Sequence, residues 1–272
     1  MNTKRILALT LALLLTVSAL ALPAGAAEYD PIYITSNGVT STGDFDSLFS
    51  GQIIYYPADL PTSGKTYPVI VWANGTMCAP ALYNSLLSKI AAGGYIVVTN
   101  TDMMAANGES QRASIDFILA ENADPDSIFY GKVNTQKIGA AGHSQGGRSA
   151  VNAAAADSRI DCVVSLAGSN YTSEAKKLST PTFFIAGSAD MMVMASLWVK
   201  PAYKNCTGAA VYANLKGAIH TNCCLNPDAY IGYILAWFDG WLQDDADALN
   251  AFRSGGALAK DCDWKDFASK GF

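Results

Sequence analysis

The chain has 272 residues, half of them hydrophobic and 15% charged, and its formal net charge is −5. That supplies one substantial core, so a single domain is expected, and an acidic chain makes nucleic acid and anionic membranes poor partners.

The start, Met1-Asn2-Thr3-Lys4-Arg5, is basic and runs into an apolar stretch from Ile6 to about Ala21. Pro23-Ala24-Gly25-Ala26-Ala27 then offers small residues for cleavage, which reads as a secretory signal peptide over residues 1–27 followed by a mature domain over 28–272. Loss of Lys4 and Arg5 with the leader takes the formal charge from −5 to −7.

Beyond the leader, short apolar runs alternate with helix-forming segments. Residues 52–56 alternate as an edge strand does and stop at Pro57, whereas Tyr67–Ala73 is continuously apolar, as in a strand buried on both faces. A helix is expected over 81–92, closed by Gly93-Gly94, then a strand over 95–99 and a helix over 111–121. Residues 137–141 predict a buried strand and the alanine-rich stretch 147–156 a helix. Further strands are expected over 162–167 and 182–186, with 209–215 the last. The final long helix, 230–243, carries Ile231, Ile234, Leu235, Phe238 and Leu242 on one face. Strands alternating with helices predict an α/β chain with a mostly parallel central sheet and helices on both faces. Sites on such sheets lie at the carboxyl ends of the strands.

Between the strand at 137–141 and the helix at 147–156 stands Gly142-His143-Ser144-Gln145-Gly146, which fits G-x-S-x-G. That turn presents a nucleophilic serine on a strained backbone, with glycines where no Cβ fits. A serine hydroxyl needs a base, and the base an orienting acid, in the order Ser, Asp or Glu, His for this type of elbow. The chain has two histidines. His143 sits inside the elbow and cannot easily fold back, leaving His220, just after the expected last strand, as the base. The strand at 182–186 runs into Gly187-Ser188-Ala189-Asp190, which puts Asp190 at the carboxyl end where the acid belongs. Asp157 and Asp161 flank the opposite edge of the sheet, and Asp228 follows the histidine. Oxyanion donors are expected from the backbone N–H of Gln145 and from the loop after Tyr67–Ala73, at Thr76 with Gly75 and Met77 as alternatives.

Six cysteines follow the leader: Cys78, Cys162, Cys206, Cys223, Cys224 and Cys262. An even count in an exported chain suggests up to three disulfides, with adjacent Cys223 and Cys224 taking different partners. With two histidines and no C-x-x-C, no metal is expected, and Asp244, Asp245 and Asp247 read as solvated acids. No cofactor is implied.

The chain resembles the bacterial polyester hydrolases, the cutinase-like, PET-degrading branch of the α/β-hydrolase superfamily, from about Gln52 to about Phe252. The markers are Pro68-Val69-Ile70-Val71 before a glycine turn, Gly94-Tyr95-Ile96-Val97-Val98, and the elbow through Gly147. Residues 181–190, Gly217-Ala218-Ile219-His220 and the late run from Ala236 to Asp245 also match. The resemblance implies an α/β-hydrolase fold without a lid, with Ser144, Asp190 and His220 as nucleophile, acid and base, and Thr76 and Gln145 as oxyanion donors. It further implies an open cleft bordered by Thr76, Gln145 and Met192. The family usually carries an aromatic residue at Thr76, a methionine at Gln145 and a stacking tryptophan near Ser169, where Tyr171 is the nearest aromatic. Cys78, beside the oxyanion loop, and Cys223 or Cys224 form a pair that would brace the cleft.

The expected activity is that of a secreted serine carboxylic-ester hydrolase, cutinase- or polyesterase-like, acting through an acyl-enzyme on short-to-medium acyl esters or polyesters, PET among them. The alternatives are a polysaccharide-directed acetyl or feruloyl esterase and a non-catalytic binding protein. The expected partner is an ester or polyester substrate, with no nucleic acid or membrane, Met77, Met192 and Tyr171 lining the cleft, and the chain a monomer.

Overall fold

A strand with apolar side chains on both sides needs cover on both faces, and the fold follows from that requirement. The computed structural model describes residues 51–272. The expected leader lies outside the described residues. In chain order the strands are β1 (Gln52–Tyr55), β2 (Tyr67–Ala73), β3 (Ile96–Asn100), β4 (Val133–His143), β5 (Cys162–Leu166), β6 (Thr182–Gly187), β7 (Ala210–Leu215) and β8 (Trp264–Lys270). The helices are α1 (Asn84–Ala92), α2 (Glu109–Ala123), α3 (Gln145–Ala156), α4 (Thr172–Ala175), α5 (Val199–Asn205), α6 (Asn222–Leu225), α7 (Asp228–Leu242), α8 (Ala246–Asn250) and α9 (Ala257–Lys260).

The eight strands form one sheet in the order β1-β3-β2-β4-β5-β6-β7-β8. β1 pairs antiparallel with β3 and β8 antiparallel with β7, and the pairings between are parallel. This is the α/β-hydrolase fold. Successive residues of a strand point to opposite faces, and β2 shows what that achieves. Val69 and Val71 join one core with Ile115 and Ile118 of α2 and Ala150 and Val151 of α3. Ile70 and Trp72 join the other with Leu86, Leu87 and Ile90 of α1 and Ile234, Trp237 and Phe238 of α7.

The expected elements are present, with three differences. The helix expected over 81–92 begins as a 3₁₀ turn, Pro80–Tyr83, and becomes α-helical at Asn84. The inner face of α7 is centred on Tyr230, Ile234, Trp237 and Phe238, and Ile231 and Leu235 are only half-buried. β7 is not the last strand, because β8 covers its outer edge. β8 is polar and, apart from Trp264, only partly buried or exposed, so it carries no apolar alternation to announce it. β7, buried along its whole length, could not have stood at an open edge. Among the described residues no helix is long and apolar enough to cross a membrane.

Candidate active site

β4 runs straight into the elbow. Ser144 sits at φ 58° and ψ −120°, a conformation that costs a non-glycine residue energy and persists only where its surroundings enforce it. The enforcement is visible. Ser144 N–H donates to the carbonyl of Leu166 at the end of β5, at 2.9 Å. A Cβ on Gly146 would lie 2.0 Å from the Ala73 carbonyl oxygen, and one on Gly142 would lie 2.3 Å from the Gly146 carbonyl oxygen. α3 packs so closely on β2 that only glycine fits, which is the physical content of the motif.

Asp190 stands in the turn that follows β6 and His220 in the loop between β7 and α6. The structure brings both to Ser144. His220 Nε2 is 2.9 Å from Ser144 Oγ, and His220 Nδ1 is 2.7 Å from Asp190 Oδ2. The carboxylate accepts from Nδ1–H, leaving Nε2 as the acceptor that faces the serine hydroxyl. The other carboxylate oxygen, Oδ1, accepts from the backbone N–H groups of Met192 and Val193, both at 2.8 Å. Burial would push the Asp190 carboxyl up, but the His220 hydrogen bond and these two N–H groups outweigh it and hold it below the usual range. The other aspartates are occupied elsewhere. Asp157 pairs with Arg159 at 2.6 Å, Asp228 pairs with Lys89 at 2.8 Å, and Asp161 accepts from the Ile138 N–H.

The loop after β2 narrows the choice of oxyanion donor. Gly75 N–H donates to Tyr83 Oη at 3.0 Å, Met77 N–H to the Met103 carbonyl at 2.9 Å, and Cys78 N–H to the Gly75 carbonyl at 3.0 Å. Thr76 is left as the residue of this turn whose N–H has no acceptor among the described residues. Asn74, fully buried, anchors the turn by donating to the Asn100 carbonyl at 2.7 Å. Gln145 opens α3, where first-turn N–H groups have no acceptor within the helix and the helix dipole favours negative charge.

A serine, imidazole and carboxylate in line, beside two uncommitted N–H groups on an α/β-hydrolase sheet, is an arrangement able to transfer acyl groups. The sequence matches the PET hydrolase-like family over residues 26–259. The chain belongs to the PET hydrolase-like family. It is 24% identical over 204 residues to a bis(hydroxyethyl) terephthalate hydrolase of Streptomyces coelicolor, covering 72% of this chain and 64% of that protein. It is also 24% identical over 177 residues to Lipase 1 of a Moraxella species, covering 63% of this chain and 53% of the lipase. The chain thus spans less than two thirds of the length of either relative.

In this PET hydrolase-like chain the residues expected to line the cleft, Met77, Met192 and Tyr171, are exposed at the surface. Met77, which follows Thr76, and Met192, whose N–H donates to Asp190, are both 73% exposed, and Tyr171 is 46% exposed. The Tyr171 ring is not loose. The Arg148 guanidinium lies 4.0 Å from its centroid, and the Trp198 ring packs beside it with centroids 5.7 Å apart. Glu174 in turn holds Arg148 through paired hydrogen bonds of 2.5 and 2.8 Å. Sequence reasoning reached Tyr171 but missed Arg148 and Trp198, which lie on α3 and just before α5 with no motif to mark them.

The expected disulfides are not formed, because all six cysteines are free thiols. The Cys223 and Cys224 sulfurs are 4.0 Å apart, and neither bonds to Cys78. Cys162 and Cys206 are buried, where they pack as small apolar residues and burial pushes their thiols up. Of the three acids expected to be solvated, Asp244 pairs with Lys137 at 2.6 Å and Asp245 caps α8 by accepting from the N–H groups of Asp247 and Ala248.

Proposed function

We propose that the protein is a secreted serine ester hydrolase acting on short-to-medium acyl esters and polyesters, terephthalate esters included. The observation that carries this reading is the continuous line Ser144 Oγ–His220 Nε2, His220 Nδ1–Asp190 Oδ2, at 2.9 and 2.7 Å. In the proposed cycle Ser144 Oγ attacks the ester carbonyl while its proton passes to His220 Nε2. The oxyanion that forms is met by the N–H groups of Thr76 and Gln145, in a site where each such donor is worth about 3 kcal/mol. The imidazolium returns its proton to the departing alcohol, and Asp190 stabilises the charged ring throughout. Water, deprotonated by His220, then cleaves the acyl-enzyme and restores Ser144.

The substrate class is supported by family membership and by relatives named as a bis(hydroxyethyl) terephthalate hydrolase and a lipase. An apolar rim of Met77, Met192 and Tyr171 suits a chain-like acyl group better than a sugar. Export is supported by the leader pattern alone.

The test is a panel of p-nitrophenyl butyrate, bis(hydroxyethyl) terephthalate, methyl ferulate and acetylated xylan, run with the native protein and Ser144→Ala. Butyrate and terephthalate esters should be hydrolysed, and the variant should lose at least about 10⁴-fold. Preference for ferulate or xylan would move the substrate to plant polysaccharide esters. Equal rates for the two proteins would end the serine-hydrolase reading.

A further inference from the structure

His143 precedes the nucleophile, yet its side chain does not face the cleft, since the residue is only 2% exposed. Its two nitrogens reach in opposite directions. Nε2 is 2.8 Å from the carbonyl oxygen of His220, and Nδ1 is 2.9 Å from Tyr83 Oη. A carbonyl can only accept, so Nε2 carries a proton, and in the neutral ring Nδ1 is then a bare lone pair. Tyr83 must then donate to Nδ1, which leaves its oxygen to accept the Gly75 N–H at 3.0 Å. One proton arrangement satisfies every member: Gly75 N–H to Tyr83 Oη, Tyr83 O–H to His143 Nδ1, and His143 Nε2–H to the His220 carbonyl. It requires a neutral ring, and burial pushes His143 down to about 4, with nearby His220 adding to the effect.

This chain joins the two loops that must be in register for the reaction. At one end is Gly75, the neighbour of Thr76. A Cβ there would lie 3.0 Å from Tyr83 Oη and 3.3 Å from His143 Nδ1, close enough that both side chains would have to give by a few tenths of an ångström. At the other end is the backbone of His220 itself, whose ring also packs on that of His143 with centroids 4.7 Å apart.

From this geometry we infer that His143 is a positioning residue that, through Tyr83 and the His220 carbonyl, sets the placement of the Thr76 N–H relative to the His220 base. The inference rests on the serine-hydrolase reading. His143 touches no reacting atom, and its effect falls on the chemical step and not on substrate binding.

Three variants separate the possibilities. His143→Phe keeps a ring and removes both hydrogen bonds, and Tyr83→Phe removes one hydroxyl. The carboxamide of His143→Gln can donate to the His220 carbonyl and accept from Tyr83 together. Hydrolysis of p-nitrophenyl butyrate is measured as kcat per serine titrated with an organophosphate, alongside inhibition by butylboronic acid, which mimics the tetrahedral intermediate. For His143→Phe kcat per titrated site should fall about 10- to 100-fold, the scale of a sub-ångström to ångström misplacement. KM should stay within about twofold and boronate affinity should fall in step with kcat. Tyr83→Phe should fall in the same direction, and His143→Gln should recover most of the loss. If His143→Phe and Tyr83→Phe lower only the number of titratable sites and the unfolding midpoint, with kcat per site unchanged, the role is structural and the inference is overturned. If the native protein neither hydrolyses the ester nor reacts with the organophosphate, the hydrolase reading fails and takes the inference with it.

Discussion

Asp190 is held from two sides, by His220 Nδ1 on one oxygen and by the N–H groups of Met192 and Val193 on the other. Asp190→Asn keeps the size of the side chain but presents an amide where the imidazole needs an acceptor. It should therefore lower kcat on p-nitrophenyl butyrate by about 10³- to 10⁴-fold with little change in circular dichroism. A loss of less than about tenfold would show that this carboxylate does not orient the base. The grouping of Ser144, His220 and Asp190 could be read from the sequence because scarcity did much of the work. With two histidines in the chain, one of them locked inside the elbow, the histidine that faces the serine was fixed almost by elimination. The partnership of His143 with Tyr83 was not legible, because it joins residues 60 positions apart and no local pattern marks it. The same holds for Arg148 and Trp198 around Tyr171.

At the scale of elements, the elbow depends on how closely α3 approaches β2. Gly146→Ala would force a methyl group to within 2.0 Å of the Ala73 carbonyl oxygen. Because backbone, and not a flexible side chain, stands in the way, the variant should lose activity and show a markedly lower thermal midpoint or fail to accumulate as soluble protein. A native-like midpoint would mean that the turn can open. The packing of α7 offers a second test. Trp237 is fully buried, with the Phe252 and Phe183 rings at 5.0 and 5.7 Å, so Trp237→Ala should cost about 3–5 kcal/mol in urea unfolding. A cost below about 1 kcal/mol would place this core outside the cooperative unit. The buried strands were readable because a sheet covered on both faces writes itself as unbroken apolar runs, Tyr67–Ala73 above all. β8 was not readable, because an edge strand that pairs with β7 along its backbone and buries little beyond Trp264 writes no apolar alternation into the sequence.

For the molecule as a whole, acid should weaken the fold in two successive windows. His143 is pushed down to about 4 from an ordinary 6.5, by burial first and by His220 second, against the opposing pull of Asp190. Between those values the unfolded chain binds a proton that the folded one refuses. Stability should therefore fall as the pH drops from about 6.5 to about 4, by roughly 3 kcal/mol, and level off below. Asp190, held below its ordinary 3.8, adds stability that is present above that value and is lost only as the pH falls through its lower folded value. Urea unfolding at pH 7 and pH 4.5 checks the first window. The difference between the two pH values should shrink in His143→Gln, and an unchanged difference would assign the acid sensitivity to other groups. Whether Ser144 is the one activated serine of the proposed mechanism can be measured directly. The protein is treated with a fluorophosphonate, digested, and the modified peptide identified by mass spectrometry. One equivalent of label is expected on Ser144, with labelling strongly slowed in His220→Ala. Label on another residue, or equal labelling of native protein and His220→Ala, would contradict that mechanism.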